Sequence, residues 1–204
     1  MNFPNALKGI KKMFTSELLA LISTICMGVT GAMLTKSDAP AAAVIVGLAA
    51  SIVMIISFVL EFVGLANASK DDPFFKKGFI ATIAGIALSA LSSSFSENTF
   101  LASLFSTLSS IASLLVTLLV VRGIMNIAEK IGDENMINRG KNIFKMVAAL
   151  YIIAIVIELI QTFVGKNQTM TTIAGVLAIA AAVISIIQYI VYLKYLNAAK
   201  KMLA

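Results

Sequence analysis

Long apolar runs with few charged side chains constrain the fold of this chain more than any other feature. Six apolar stretches approach or exceed the roughly 20 residues that a helix needs to cross a bilayer. They cover residues 18–35, 41–67, 78–96, 99–127, 144–165 and 169–195. Because every backbone polar group must be satisfied within lipid, and the alternation of membrane strands is missing, we expect helices. The sequence predicts an all-α polytopic protein, with six transmembrane helices in one integral membrane domain over residues 1–204.

Composition supports the membrane class. The chain is 59% hydrophobic and 13% charged, whereas soluble domains are about 45–50% apolar and about 25% charged. The first run, with lysines before it, loosely resembles a signal peptide. It is longer than the usual apolar region of about 7–15 residues, so we expect it to remain as a helix.

Basic residues predict the orientation. Of the 16 Lys and Arg residues, 14 lie in the N-terminal arm (8–12), between residues 70 and 77, between residues 122 and 145, or in the C-terminal tail (194–201), and only Lys36 and Lys166 lie elsewhere. Since cytoplasmic loops are enriched in Lys and Arg, we expect a cell-membrane protein with cytoplasmic termini and cytoplasmic loops at 66–77 and 129–145. The turns near 36, 97 and 166 would lie outside. The net charge of +6 then suits anionic lipid headgroups, and no nucleic-acid-binding motif accompanies it.

One polar linker has counterparts elsewhere in the chain. The first half of "LANASKDDPFFKKG" (65–78) matches "MNIAEK" (125–130) and "LNAAKK" (196–201), and its second half matches "DENMINRG" (133–140). The N-terminal "LKG" (7–9) repeats its end. This predicts three hairpin repeats, the third split between the termini. The proposed cytoplasmic connector residues are Lys70, Asp71, Asp72, Lys77, Gly78, Lys130, Asp133, Glu134, Arg139 and Gly140. In them, lysine would favour a helix C-terminus, acidic residues the next helix N-terminus, and glycine close packing.

The two clearer copies of this connector carry a resemblance to a known family. "LANASKDDPFFKKG" and its echo "MNIAEKIGDENMINRG" are similar to a pattern in small prokaryotic membrane proteins of the domain-of-unknown-function 996 type. The second copy departs from the pattern because it lacks Pro and Phe. The resemblance implies a multi-pass membrane protein and no particular activity.

Ionisable residues inside the apolar runs are the candidate binding residues, because burying charge in lipid is costly. Glu61, Arg122 and Lys194 lie five to seven residues before the repeat alanine and so at similar depth. They could form a charged ring that binds an anion or gates a pore, or they could extend to the headgroups as long side chains near helix ends do. Glu158, about two turns from the outer end of its run, could be protonated, paired or directed to the interface.

Small residues recur at every fourth position of most runs. Such stripes let helices approach closely in lipid, although a Ser/Thr stripe could also line a wet path. The stripes are Thr24, Gly28, Ala32; Ala43, Gly47, Ser51; Ala81, Gly85, Ser89, Ser93; Ser109, Ser113, Thr117; and Ala174, Ala178, Ala182. We expect them mainly to pack helices against one another.

Catalytic machinery is not recognisable. The chain has no histidine, one cysteine (Cys26) and no metalloprotease, nucleophile-elbow, P-loop or dinucleotide-binding motif. We therefore expect no catalytic residue, metal or cofactor. The function favoured is small-solute or ion transport, as a transporter, channel or permease subunit. The alternatives are a non-transporting regulatory, immunity or assembly partner, and a membrane enzyme using the acidic connectors. A protein partner or homo-oligomer is compatible with each.

Overall fold

The computed structural model describes residues 2–34, 41–163 and 168–204, and the side chains of these residues except 99, 151, 152, 154–163 and 168–182. Six α-helices account for nearly all of the described backbone, which confirms the predicted all-α class. They are α1 (Pro4–Leu34), α2 (Ala41–Ala68), α3 (Pro73–Ser94), α4 (Thr99–Ile131), α5 (Glu134–Phe163) and α6 (Gln168–Met202).

Within the described part of the chain, four helices are long and apolar enough to cross a bilayer. They are α1, α2, α3 and residues Phe100–Ile131 of α4. Their surfaces away from neighbouring helices carry large exposed apolar side chains such as Ile45, Ile55 and Leu48. A surface of this kind is stable when it contacts lipid rather than water.

The helices pack in a ring that follows the order of the chain. The closest packing is between α1 and α2, between α3 and α4, and between α5 and α6. Fewer contacts join α2 to α3, α4 to α5 and α6 to α1. The described structure is therefore three helical hairpins that touch one another more loosely than their own two helices do.

A seam of small buried residues, spaced by seven, explains the tight packing of α1 on α2. Because two helices with nearly aligned axes contact each other about every 3.5 residues, a seven-residue period keeps small side chains in the interface. The seam consists of Gly9, Ser16, Ser23 and Thr30 in α1 and Ala43, Ala50, Ser57 and Gly64 in α2.

Hydrogen bonds cross this seam between side chains and backbone. The Ser16 hydroxyl donates to the Ser57 carbonyl oxygen at 2.7 Å, and the Ser57 hydroxyl donates to the Ser16 carbonyl oxygen at 2.8 Å. The Ser23 hydroxyl reaches the Ala50 carbonyl oxygen at 2.5 Å. Hydrogen bonds of the same kind join α3 to α4, where the Ser92 hydroxyl donates to the Ala102 carbonyl oxygen and the Ser109 hydroxyl donates to the Gly85 carbonyl oxygen.

In α1, the stripe of small residues that was expected to pack against another helix is exposed instead. Thr24, Gly28 and Ala32 are exposed, and nothing lies within 4 Å of a Cβ built on Gly28. The prediction assumed a four-residue period, whereas the observed seam repeats every seven residues. In α2, Ala43 belongs to the seam, and the α6 stripe of residues 174, 178 and 182 lies outside the described side chains.

Burial between hairpins is concentrated at the end where the connectors lie. The buried cluster includes Ile10 and Met13 from α1, Leu65 from α2, Phe75 from α3, Val120, Val121 and Ile124 from α4, Ile143 and Val147 from α5, and Tyr195 and Leu196 from α6. Toward the other end, the buried residues of α1 and α2 are seam residues such as Ser23 and Thr30, and Gly85 of α3 is buried against α4. Among the side chains that the structure describes, those buried between hairpins thus lie mainly at the connector end of the ring.

The connectors are much shorter than expected. Helix α4 continues to Ile131 and α5 begins at Glu134, so the predicted loop at 129–145 is wrong and is almost entirely helical. Gly132, with φ of 85°, ends α4 in the left-handed conformation, and Asp133 caps the next helix immediately. Polar sequence beyond the apolar run stays helical because no proline or further glycine turn interrupts it. The predicted loop at 66–77 likewise shortens to residues 69–72.

Candidate functional site

The first connector holds the N-terminus of α1. The Asp71 carboxylate accepts hydrogen bonds from the Ala6 amide nitrogen and the Asn5 side-chain nitrogen, both at 2.8 Å. A carboxylate is stabilised at a helix N-terminus, where amide groups lack partners and the helix dipole is positive. Asp71 therefore caps a helix distant in sequence.

Asp72 joins α3 to α4. Its side chain is fully buried and caps α3 by accepting from the Phe74 amide at 2.9 Å. It also accepts from the side chain of Asn126 and lies 3.4 Å from the Lys130 ammonium group. These contacts satisfy a buried carboxylate, so its role is structural.

The remaining connector residues lie at helix ends or inside helices. Asp133 caps α5 by accepting from the Met136 amide at 3.0 Å, and Glu134 is the first residue of α5. Lys70 is exposed, and Lys77 and Arg139 lie on exposed helix surfaces. Gly78 and Gly140 are buried.

The predicted ring of charges is not formed among Glu61, Arg122 and Lys194. Arg122 pairs with Glu129 on its own helix at 3.2 Å and lies over the Phe74 ring at 5.5 Å. Lys194 is exposed at a groove of about 340 Å³ formed with α5 residues including Arg139 and Asn142. Residues at similar depth need not face one another, because each step of one residue along a helix rotates the side chain by about 100°. Glu158 lies in α5, but its side chain is outside those described.

Glu61 lies instead at a cavity of about 630 Å³ between α2, α3 and α4. Its wall is formed by Phe58 and Glu61 of α2, Ala81, Thr82, Gly85, Ile86, Ser89, Ala90 and Ser93 of α3, and Ser109, Ser113, Val116 and Thr117 of α4. Along α3 the lining extends for roughly 18 Å at the helical rise of 1.5 Å per residue. It begins near the depth of Glu61 and reaches the end of α3 farthest from the connectors.

Hydroxyl groups supply most of the polar atoms in the cavity wall. Four of them donate their hydrogens to helix carbonyl oxygens: Thr82 to Gly78, Ser93 to Ser89, Ser109 to Gly85 and Ser113 to Ser109, at 3.1 to 3.2 Å. Glu61 is the ionisable residue of this lining. Among the described residues, no Lys or Arg forms an ion pair with it.

A second carboxyl group lies on the helix that packs against α2. Glu17 of α1 directly follows Ser16, which is hydrogen-bonded to Ser57, one turn before Glu61. The Tyr189 hydroxyl of α6 lies 2.7 Å from a Glu17 carboxyl oxygen. Tyr192, also in α6, is buried beside this group. The first hairpin and the last helix thus bring two carboxyl groups and two tyrosines to the same region of the ring.

Sequence reasoning missed Glu17 as a functional candidate, because this residue directly precedes the first apolar run at 18–35 and therefore resembles the end of a span. Helix α1 begins at Pro4, so Glu17 lies more than three turns inside the helix rather than at its end. The buried positions Gly9, Met13 and Ser16 indicate that α1 packs against other helices well before the apolar run begins.

The ring of apolar helices and its intramembrane carboxyl groups define a helical membrane protein. No protein-family model, curated protein or solved structure matches the chain. The resemblance to the domain-of-unknown-function 996 type therefore stays a prediction.

Proposed function

We propose that the protein transports a small solute or ion across the cell membrane, with the α2–α3–α4 cavity as part of the path. The observation that carries this proposal is the placement of Glu61 in that cavity without a cationic partner among the described residues. A carboxyl group at membrane depth is costly and is usually retained for a function. The volume of about 630 Å³ also lies within the range of small-molecule sites, about 300–1,000 Å³.

The proposed architecture is six transmembrane helices as three hairpin repeats. Helices α5 and α6, with 30 and 35 residues, exceed the length that a span requires. Similar packing at two connectors supports the repeat: a Cβ built on Gly78 would lie nearest to Leu65, and one built on Gly140 would lie nearest to Met125. Loose packing between hairpins would let one hairpin tilt against another, as alternating access requires.

The proposed topology places both termini and the connectors in the cytoplasm, because these regions carry most of the basic residues. The cavity extends from Glu61 away from the connectors, so it would open toward the outside. The apolar cluster around Ile10, Leu65 and Ile124 would close the cytoplasmic end in this conformation. Transport would then require this cluster to open.

Flux through reconstituted protein tests the proposal. Vesicles containing the wild-type protein should take up at least one of three labelled probes, sodium, methylammonium or acetate, faster than empty vesicles. Glu61→Gln should reduce that uptake at least about tenfold, because it removes the charge in the cavity. Glu97→Gln, an exposed change in the turn between α3 and α4, should leave it unchanged.

Uptake equal to that of empty vesicles, or uptake unaffected by Glu61→Gln, would contradict the proposal. Absence of flux together with co-purification of a stoichiometric protein would favour the non-transporting partner considered from the sequence.

A further inference from the structure

We infer that the cavity binds a small organic ammonium ion that carries N–H groups. The inference rests on the proposed function in that it names the class of solute transported. It depends on the chemistry of the cavity wall, on the presence of Glu61 and an aromatic ring on the same face of α2, and on the shape of the cavity.

The cavity wall presents hydrogen-bond acceptors. A hydroxyl group has one hydrogen and two lone pairs, and the hydroxyl hydrogens of Thr82, Ser93, Ser109 and Ser113 are already donated to helix carbonyl oxygens. Their oxygens can still accept. A ligand with N–H donors satisfies these oxygens, whereas a carboxylate or phosphate would meet four hydroxyl groups whose hydrogens are already donated.

Glu61 and Phe58 provide the second part of the argument. They are three residues apart on α2 and both line the cavity, as expected for neighbours on one helix face. A carboxylate attracts a cation, and an aromatic face binds an ammonium group through its quadrupole.

The shape of the cavity favours an organic cation over a bare metal ion. Hard metal cations take six or more oxygen ligands converging within about 2.6 Å. Here the hydroxyl groups are distributed along roughly 18 Å of helix, in a volume of about 630 Å³. Ile86, Ala90 and Val116 lie between them in the lining and can contact a short hydrocarbon chain.

Equilibrium binding to the full-length protein in detergent tests the inference. The probes are propylammonium, tetramethylammonium, sodium and propionate, measured by isothermal titration calorimetry. We expect saturable binding of propylammonium, weaker binding of tetramethylammonium because it has no N–H donors, and no binding of sodium or propionate. Binding of sodium or propionate as tight as that of propylammonium, or no binding of propylammonium, would overturn the inference.

Matched variants locate the site. Glu61→Gln should raise the Kd for propylammonium at least about tenfold, in line with the loss of a charged hydrogen-bond partner, and Glu97→Gln should not. Thr82→Val removes one acceptor from the wall and should raise the Kd severalfold. Thr107→Val, in which an exposed hydroxyl bonded to the Ser103 carbonyl is lost, should leave it unchanged. A Kd unaffected by both Glu61→Gln and Thr82→Val would overturn the assignment, and the comparison of probes on the wild-type protein does not depend on either variant folding.

The binding and flux experiments distinguish a failure of the proposed ligand from a failure of the proposed transport. Propylammonium binding without uptake of any probe would support the inference about the ligand and contradict the proposed transport. Glu61-dependent uptake of sodium without propylammonium binding would support transport and overturn the inference.

Discussion

The hydroxyl group of Tyr189 in α6 lies 2.7 Å from both a carboxyl oxygen and the main-chain carbonyl oxygen of Glu17 in α1. This contact joins the last helix to the first, across one of the looser boundaries of the ring. The single hydroxyl hydrogen of Tyr189 is shared between these two acceptor oxygens of Glu17.

Tyr189→Phe should weaken the closure of the ring. The change removes both contacts to Glu17 and should lower the free energy of unfolding by about 1–2 kcal/mol, measured by denaturation in mixed micelles with circular dichroism. Tyr195→Phe is the control, since its hydroxyl reaches the Val121 carbonyl oxygen only at 3.5 Å and its loss should cost less. Equal losses for the two variants would contradict a specific role for the contact of Tyr189 with Glu17.

Asp72→Ala should destabilise the protein more than Asp133→Ala. Both variants lose a helix cap, which costs about 1 kcal/mol. Asp72→Ala also leaves Asn126 and Lys130 without their buried acceptor, which adds about 1 kcal/mol because Lys130 stays partly solvated. Thermal unfolding of the two variants in one detergent compares them directly, and a smaller loss for Asp72→Ala would show that its contacts across α3 and α4 contribute little.

Gly9→Ala should destabilise the packing of α1 against α2. A Cβ at Gly9 would meet backbone atoms of α2, including the Ala68 nitrogen at 2.8 Å, and overpacking of this kind costs about 1–3 kcal/mol. Gly28→Ala is a matched change on the same helix with open space around it, so it should be neutral or stabilising by up to about 1 kcal/mol. Equal unfolding free energies for the two variants would contradict the observed seam.

Cysteine labelling should reveal the orientation. In a background with Cys26→Ala, a cysteine replacing Ser96 in the turn between α3 and α4 should react with a membrane-impermeant maleimide in intact cells. A cysteine replacing Lys70 in the first connector should react only after permeabilisation, since the basic regions are expected in the cytoplasm. The reverse pattern would invert the proposed topology.

The helical class was predictable because apolar runs and the membrane leave the backbone few alternatives. Which side chains contact each other was not predictable from the sequence. The depth of a residue in the membrane can be counted along its helix, but the direction of its side chain depends on how the helix is rotated when it packs. Arg122 therefore turns toward Phe74 and Glu129 instead of Glu61. The contact of Glu17 with Tyr189 joins residues 172 positions apart, and no local pattern connects them.

The seam between α1 and α2 was present in the sequence at a different period from the one expected. Gly9, Ser16 and Ser23 recur every seven residues and are buried, whereas Thr24 and Gly28, chosen at a period of four, are exposed. Choosing between the two periods requires the crossing geometry of the helix pair.

The serine bonds between α1 and α2 also bear on how the protein is made. Contacts between consecutive segments form early, because little chain must be closed to bring them together. The first hairpin can therefore assemble in the bilayer while the rest of the chain is still being synthesised, and the α3–α4 hairpin can follow in the same way. The link between Glu17 and Tyr189 has to wait for α6, so closure of the ring is a late event in biogenesis.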